Sequence, residues 1–72
     1  MELRFTEHAI LRMRLREITV ADIEEIIQHP TRTTVGATEV VYDGTARGRG
    51  MRIVVDRDSD PPWVVTVIFR RR

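Results

Sequence analysis

The chain has 72 residues, a formal net charge of +1 and no cysteine. A single domain, 1–72, is expected, with no disulfide or cysteine-based metal centre, and with about 60% of its unfolded surface removed from water on folding. No apolar run reaches the roughly 18–20 residues of a membrane span and no basic-then-apolar leader opens the chain, so the expected setting is the cytoplasm.

The near-neutral charge hides a skew, because all 12 basic residues are arginine. Arginine's planar fork suits bidentate contact with phosphate or carboxylate, although arginine-rich codon usage gives the same composition. A core of this size supplies about 3–5 kcal/mol. A partner or a second copy of the chain would add the stability that it lacks.

Leu3 and Phe5 alternate with Glu2 and Arg4, which predicts a short strand over 2–5. Thr6 is a good N-cap and Glu7 complements the dipole of a first helix, expected to run to about Arg16. In the stretch from Ile18 to Ile23, Thr19 and Asp22 form a capping box, with Ile18 and Ile23 at the hydrophobic-staple positions. Val20, Ile23, Ile26 and Ile27 then make the apolar stripe of a second helix. Pro30 ends it at about His29.

Beyond Pro30 the period changes. Residues 31–35 and 38–42 are rich in β-branched side chains and flank a Gly36-Ala37 turn. The segment from Asp43 to Gly50 reads as a Gly/Arg-rich loop, followed by a strand over 51–56. Residues 58–62 contain two prolines and make a turn. Residues 63–69 are apolar on both faces, which places that strand inside the sheet. Arg70-Arg71-Arg72 is a basic tail. The expected fold class is α+β: a short N-terminal strand, two helices, then a four-stranded antiparallel meander with the helices on one face.

His8, Arg12 and Arg16 fall at i, i+4 and i+8, within about 80° of one another on the first helix. Arg14 falls on another side and reads as plain solvent charge. A helix N-terminus and two arginines attract a phosphate, and a neutral imidazole beside them can accept a proton. Base and anion site then coincide, which suits cleavage of RNA through its own 2′-hydroxyl. From spacing alone, a solvated Arg/His column is the commoner arrangement. Thr66 interrupts the apolar run Val64-Val65-Thr66-Val67-Ile68, where its hydroxyl must find a partner. It either touches a phosphate or bonds a neighbour as ordinary strand filling.

Arg47, Gly48, Arg49 and Gly50, with the adjacent Arg52, make a flexible basic loop. Its arginines, Arg49 and Arg52 above all, are candidate phosphate contacts, with a solvated hairpin as the blander alternative. Tyr42 and Trp63 suit the core better than base stacking. Asp56-Arg57-Asp58-Ser59-Asp60 opens like a calcium loop, but Pro61 stands at the glycine place and Val67 at the chelating-glutamate place. His29 reads as a cap on its helix. No metal and no cofactor is expected.

The stretch FTEHAILRMRLREITVADIEEIIQHP resembles the opening of a small bacterial family known as domain-of-unknown-function family 4258. The matching positions are His8-Ala9, Arg12-Met13, Arg16, Ile18-Thr19 and His29-Pro30, and the closing strands MRIVVD and WVVTVI resemble the family's, with Thr66 at a usual threonine. Glu17 stands where the family often has glycine, so the turn between the helices is expected not to be left-handed there. The family is similar to RelE/ParE-like toxins within the barnase–EndoU–colicin–RelE group. That resemblance implies the RelE-like fold just described and metal-independent ribonuclease chemistry at His8, Arg12 and Thr66, with Arg16 holding substrate. RNA is the implied partner, with a neighbouring antitoxin protein as a further one; a homodimer is expected only on the ground of the small core. A non-catalytic RNA- or protein-binding module on the same fold is the alternative.

Overall fold

The computed structural model describes residues 1–70; Arg71 and Arg72, the end of the basic tail, lie outside the described residues. The elements are β1 (Arg4–Phe5), α1 (Glu7–Arg16), α2 (Val20–Gln28), β2 (Arg32–Val35), β3 (Glu39–Ala46), β4 (Arg49–Asp56) and β5 (Trp63–Phe69). Thr6 caps α1 by accepting from the Ala9 amide. The Thr19–Asp22 capping box forms in both directions and opens α2.

The sheet corrects the expected fold. It is not a separate four-stranded antiparallel meander but one five-stranded mixed sheet, ordered β1-β5-β4-β3-β2. β2 to β5 pair antiparallel, while β1 joins the far edge in parallel, Arg4 against Trp63 and Phe5 against Val64. A two-residue strand shows no periodicity that reveals its partner; long-range bonds from the Arg4 amide to Pro62 and from the Thr6 amide to Val64 fix it. β5 therefore lies inside the sheet, between β1 and β4, as its two apolar faces imply.

A second correction concerns residues 43–50, which are ladder rather than loop. β3 continues to Ala46 and β4 begins at Arg49, directly opposite. Arg47 and Gly48 alone turn the chain, at φ 50° and 77°. Two positive φ values make the tight turn whose twist matches the flanking strands. Gly44 gives α2 a close approach to β3, since a Cβ there would sit a tight 3.1 Å from Cγ2 of the fully buried Ile26.

The third correction is at Glu17, which is left-handed after all, at φ 53° and ψ 46°. Its amide and that of Ile18 reach back to the carbonyls of Arg14 and Met13, closing α1 without glycine.

The core gathers Ala9 of α1, Ile18, Ile23 and Ile26 of α2's segment, and Met51, Ile53, Val55, Val64 and Val67 of the sheet. Both helices thus cover one face. Of the expected α2 stripe, Ile23 and Ile26 are fully buried, whereas Val20 at the first turn is exposed. The alternate residues of the strands, among them Asp43, Arg52, Val54 and Thr66, point to the face without helices.

Candidate functional site

β1 covers β5 only at Trp63 and Val64, so from Val65 onward the outer edge of β5 has no strand beside it. An uncovered edge offers free carbonyls to stray strands. Helix α1 covers it with side chains. The Thr6 hydroxyl donates to the Val65 carbonyl at 2.8 Å, and Arg12 Nε donates to that of Val67 at 2.9 Å. Arg16 lays its guanidinium over the Phe69 ring, 5.6 Å from the centroid. The predicted column therefore runs along β5 residue by residue and is not a freely solvated face.

His8 takes its place in the same row. Its Nε2 lies 2.9 Å from Thr66 Oγ1, accepting from the hydroxyl when the ring proton is on Nδ1 and donating to it otherwise. This answers why a hydroxyl interrupts an apolar strand. A bulge immediately before Thr66 contributes, since Val54 opposes Thr66 while Val55 opposes Val64, leaving Val65 unpaired in the register. The structure thus brings His8, Arg12, Arg16 and Thr66 to one edge. Arg12's only hydrogen bond among the described residues is through Nε, which leaves both terminal nitrogens to face an anion.

Arg49 and Arg52 sit elsewhere. Arg49 donates to the carbonyls of Arg16 and Glu17 at 2.8 and 3.0 Å and also lies over the Phe69 ring, 5.4 Å from its centroid. It fastens the end of α1 to the sheet. Arg52 lies opposite Asp43 on the helix-free face and donates from Nε to Asp43 Oδ1 at 2.8 Å. That bond holds the Asp43 carboxyl below the usual carboxylate range against the opposing effect of burial.

In the sequence Asp22 reads only as a cap and Arg47 only as part of a basic loop, and Asp43 has no role; their pairing with arginines and acids across the fold went unread. Asp22 caps α2 and also receives Arg47 Nε on Oδ1 at 2.8 Å, with Arg47's terminal nitrogen on Oδ2. Hydrogen bonds from Arg47 chiefly, then from Thr19, hold the Asp22 carboxyl down to about 2 although it is nearly inaccessible. Asp43 is only 2% exposed. The one signal for Asp43 was an acid among β-branched residues, and it was obscured by the neighbouring glycine.

Among the described residues no group of three or more His, Cys, Asp or Glu side chains could hold a metal ion, and no helix is long and apolar enough to cross a membrane. An apolar hollow between α1 and the start of α2, lined by Phe5, Ile10, Met13, Ile18 and Val20, touches none of the six candidate residues. Beside the His8 column, Leu11 and Leu15 are exposed at 55% and 71%.

Residues 5–69 match the family described as Domain of unknown function (DUF4258). No curated protein and no solved structure matches the chain.

Proposed function

The chain belongs to the DUF4258 family, and we propose that it is a metal-independent endoribonuclease whose reacting centre is the His8–Thr66 pair at the covered edge of β5. The observation that carries this is the 2.9 Å contact of His8 Nε2 with Thr66 Oγ1, beside an arginine with two uncommitted terminal nitrogens.

RNA brings its own nucleophile. On substrate entry the 2′-hydroxyl takes the threonine's place at Nε2, and the Thr66 hydroxyl turns to a non-bridging phosphate oxygen. His8 accepts the 2′-hydroxyl proton as the 2′-oxygen bonds to phosphorus. The phosphorus–O5′ bond breaks, leaving a 2′,3′-cyclic phosphate and a 5′-oxygen that takes its proton from water. Arg12 and Arg16 hold the charge that builds on the phosphate; preorganised donors of this kind are each worth roughly 10²–10³ in rate.

The toxin-like setting belongs to the same proposal. Leu15 falls within about 20° of His8 on the helix, so a protein seated on exposed Leu11 and Leu15 would also cover His8. An antitoxin or a second copy of the chain would inhibit in that way.

The second proposal, a non-catalytic RNA- or protein-binding module, has its own support. Thr6 and Arg12 fasten α1 to the β5 edge, and Arg49 ties α1's end to β4, so the row also serves as edge protection. Incubating purified protein with single-stranded RNA in chelator separates the two. Cyclic-phosphate products lost on His8→Ala support the enzyme, and binding without product supports the module.

A further inference from the structure

The helix-free face carries a second group of charges. Asp43 is flanked across the sheet by Arg32 of β2 and Arg52 of β4, each directly opposite it. Arg70 enters the same face: its amide bonds the Gly50 carbonyl at 3.0 Å, and its Nε lies 3.8 Å from Asp43 Oδ1. One nearly inaccessible carboxylate thus faces three guanidinium groups, for a local charge of +2 (three positive, one negative). Asp43 neutralises only one of them, and the Arg52 and Arg70 side chains remain 44% and 49% exposed.

The position of this cluster gives it a direction. Thr66 opposes Val54 and Ile68 opposes Arg52, so Thr66, Ile68 and Arg70 follow one another along the helix-free face of β5. Arg12 and Arg16 accompany the same half of β5 along its edge. The other end of the face is acidic, with Glu39 opposite Asp56. A polyanion passing His8 and Thr66 is therefore attracted toward Arg70 and repelled from Asp56.

We infer that Arg52 and Arg70, set in place by Asp43, form a phosphate-binding strip that receives a single-stranded RNA backbone on one side of the His8–Thr66 pair. Asp43 is a positioning residue, while the exposed guanidinium groups contact the strand. The inference rests on the proposed RNA substrate but not on cleavage, because a strand can lie on the strip without being cut.

The test uses the full chain and a labelled 2′-O-methyl RNA oligonucleotide, which has no free 2′-hydroxyl and cannot be cleaved by that route. Fluorescence anisotropy gives Kd across a salt series. The double variant Arg52→Gln/Arg70→Gln is expected to weaken binding tenfold or more. It should also flatten the slope of log Kd against log salt by about 1.4, at roughly 0.7 per lost phosphate contact on a single strand. Arg14→Gln, on another side of α1, should leave Kd and slope nearly unchanged. Asp43→Asn separates positioning from bulk charge: positioning predicts weaker binding despite the added positive charge, and bulk charge alone predicts tighter binding. A folded double variant that binds like wild type would overturn the strip. So would equal loss in Arg14→Gln, tighter binding by Asp43→Asn, or a wild type that binds no oligonucleotide. Intact binding together with failure to cut ordinary RNA would remove the nuclease proposal and leave the strip standing.

Discussion

Arg12 donates from Nε to the carbonyl of Val67 at 2.9 Å, and this bond ties α1 to an edge of β5 that no strand covers. The same side chain carries the two terminal nitrogens proposed to hold the scissile phosphate. Arg12→Ala removes both roles, costing about 1 kcal/mol of stability for the lost bond and roughly 10²–10³ in cleavage rate. Arg12→Lys is more informative. An ammonium can serve the carbonyl or the phosphate but not both through a fork. Thermal melting should therefore stay near wild type while the cleavage rate falls. A lysine variant that cleaves at the wild-type rate would show that Arg12 only fastens the edge.

Asp22 gives the fold an acid-side pH dependence. Its carboxyl ordinarily titrates at 3.8 and is held down to about 2 in the folded chain, chiefly by the Arg47 hydrogen bonds. A lowered folded-state value means stability that is present above pH 4 and lost as pH falls from about 4 toward 2. The shift corresponds to about 2 kcal/mol. Asp22→Asn should melt about 8–16 °C lower at pH 7 and lose much of its stability change between pH 4 and 2. Melting curves at several pH values check this, and parallel pH profiles for wild type and variant would contradict it.

Glu17 holds a left-handed conformation at φ 53° with a side chain. That conformation costs a non-glycine residue about 1–2 kcal/mol, while glycine's extra freedom in the unfolded chain returns about 0.5–1 kcal/mol of the gain. Glu17→Gly should therefore raise the melting temperature by about 2–8 °C. The carbonyl that receives Arg47 and Arg49 is unaffected by the change. An unchanged or lower melting temperature would mean that the Glu17 side chain contributes more than its backbone strain removes.

What the sequence disclosed was the part governed by neighbours along the chain. The Thr6 cap, the Thr19–Asp22 box and the stop at Pro30 are settled within a few residues, and each stands as read. β1 was legible as a strand but not as a parallel partner of β5, because its bonds to Pro62 and Val64 span nearly the whole chain. Glu17 misled for a related reason. Only glycine announces a left-handed turn locally, whereas here two arginines from the far end of the β3–β4 hairpin hold the Glu17 carbonyl. The His8–Arg12–Arg16 column was visible in the spacing. Its attachment to Thr66, Val67 and Phe69 was not, since those residues lie more than fifty positions away. Arg49 looked like a free loop charge because Asp43–Gly50 resembled a loop, whereas its guanidinium lies over Phe69. Arg52 was legible on its strand, but the ladder that sets Asp43 opposite it was not.

The most direct measurement compares cleavage of one single-stranded RNA by wild type, His8→Ala and Thr66→Val, in chelator, with melting curves recorded on the same preparations. General-base loss at His8 should lower the rate by about 10²–10⁴. Removing the Thr66 hydroxyl should lower it by on the order of tenfold, as one hydrogen bond of about 1.4 kcal/mol would. Both variants should remain folded at the assay temperature, since His8 is exposed and Thr66→Val keeps the strand's shape. Cyclic-phosphate products that follow this order place the chemistry at the His8–Thr66 pair. A wild type that leaves RNA intact, or a His8→Ala variant that cleaves undiminished, would contradict it.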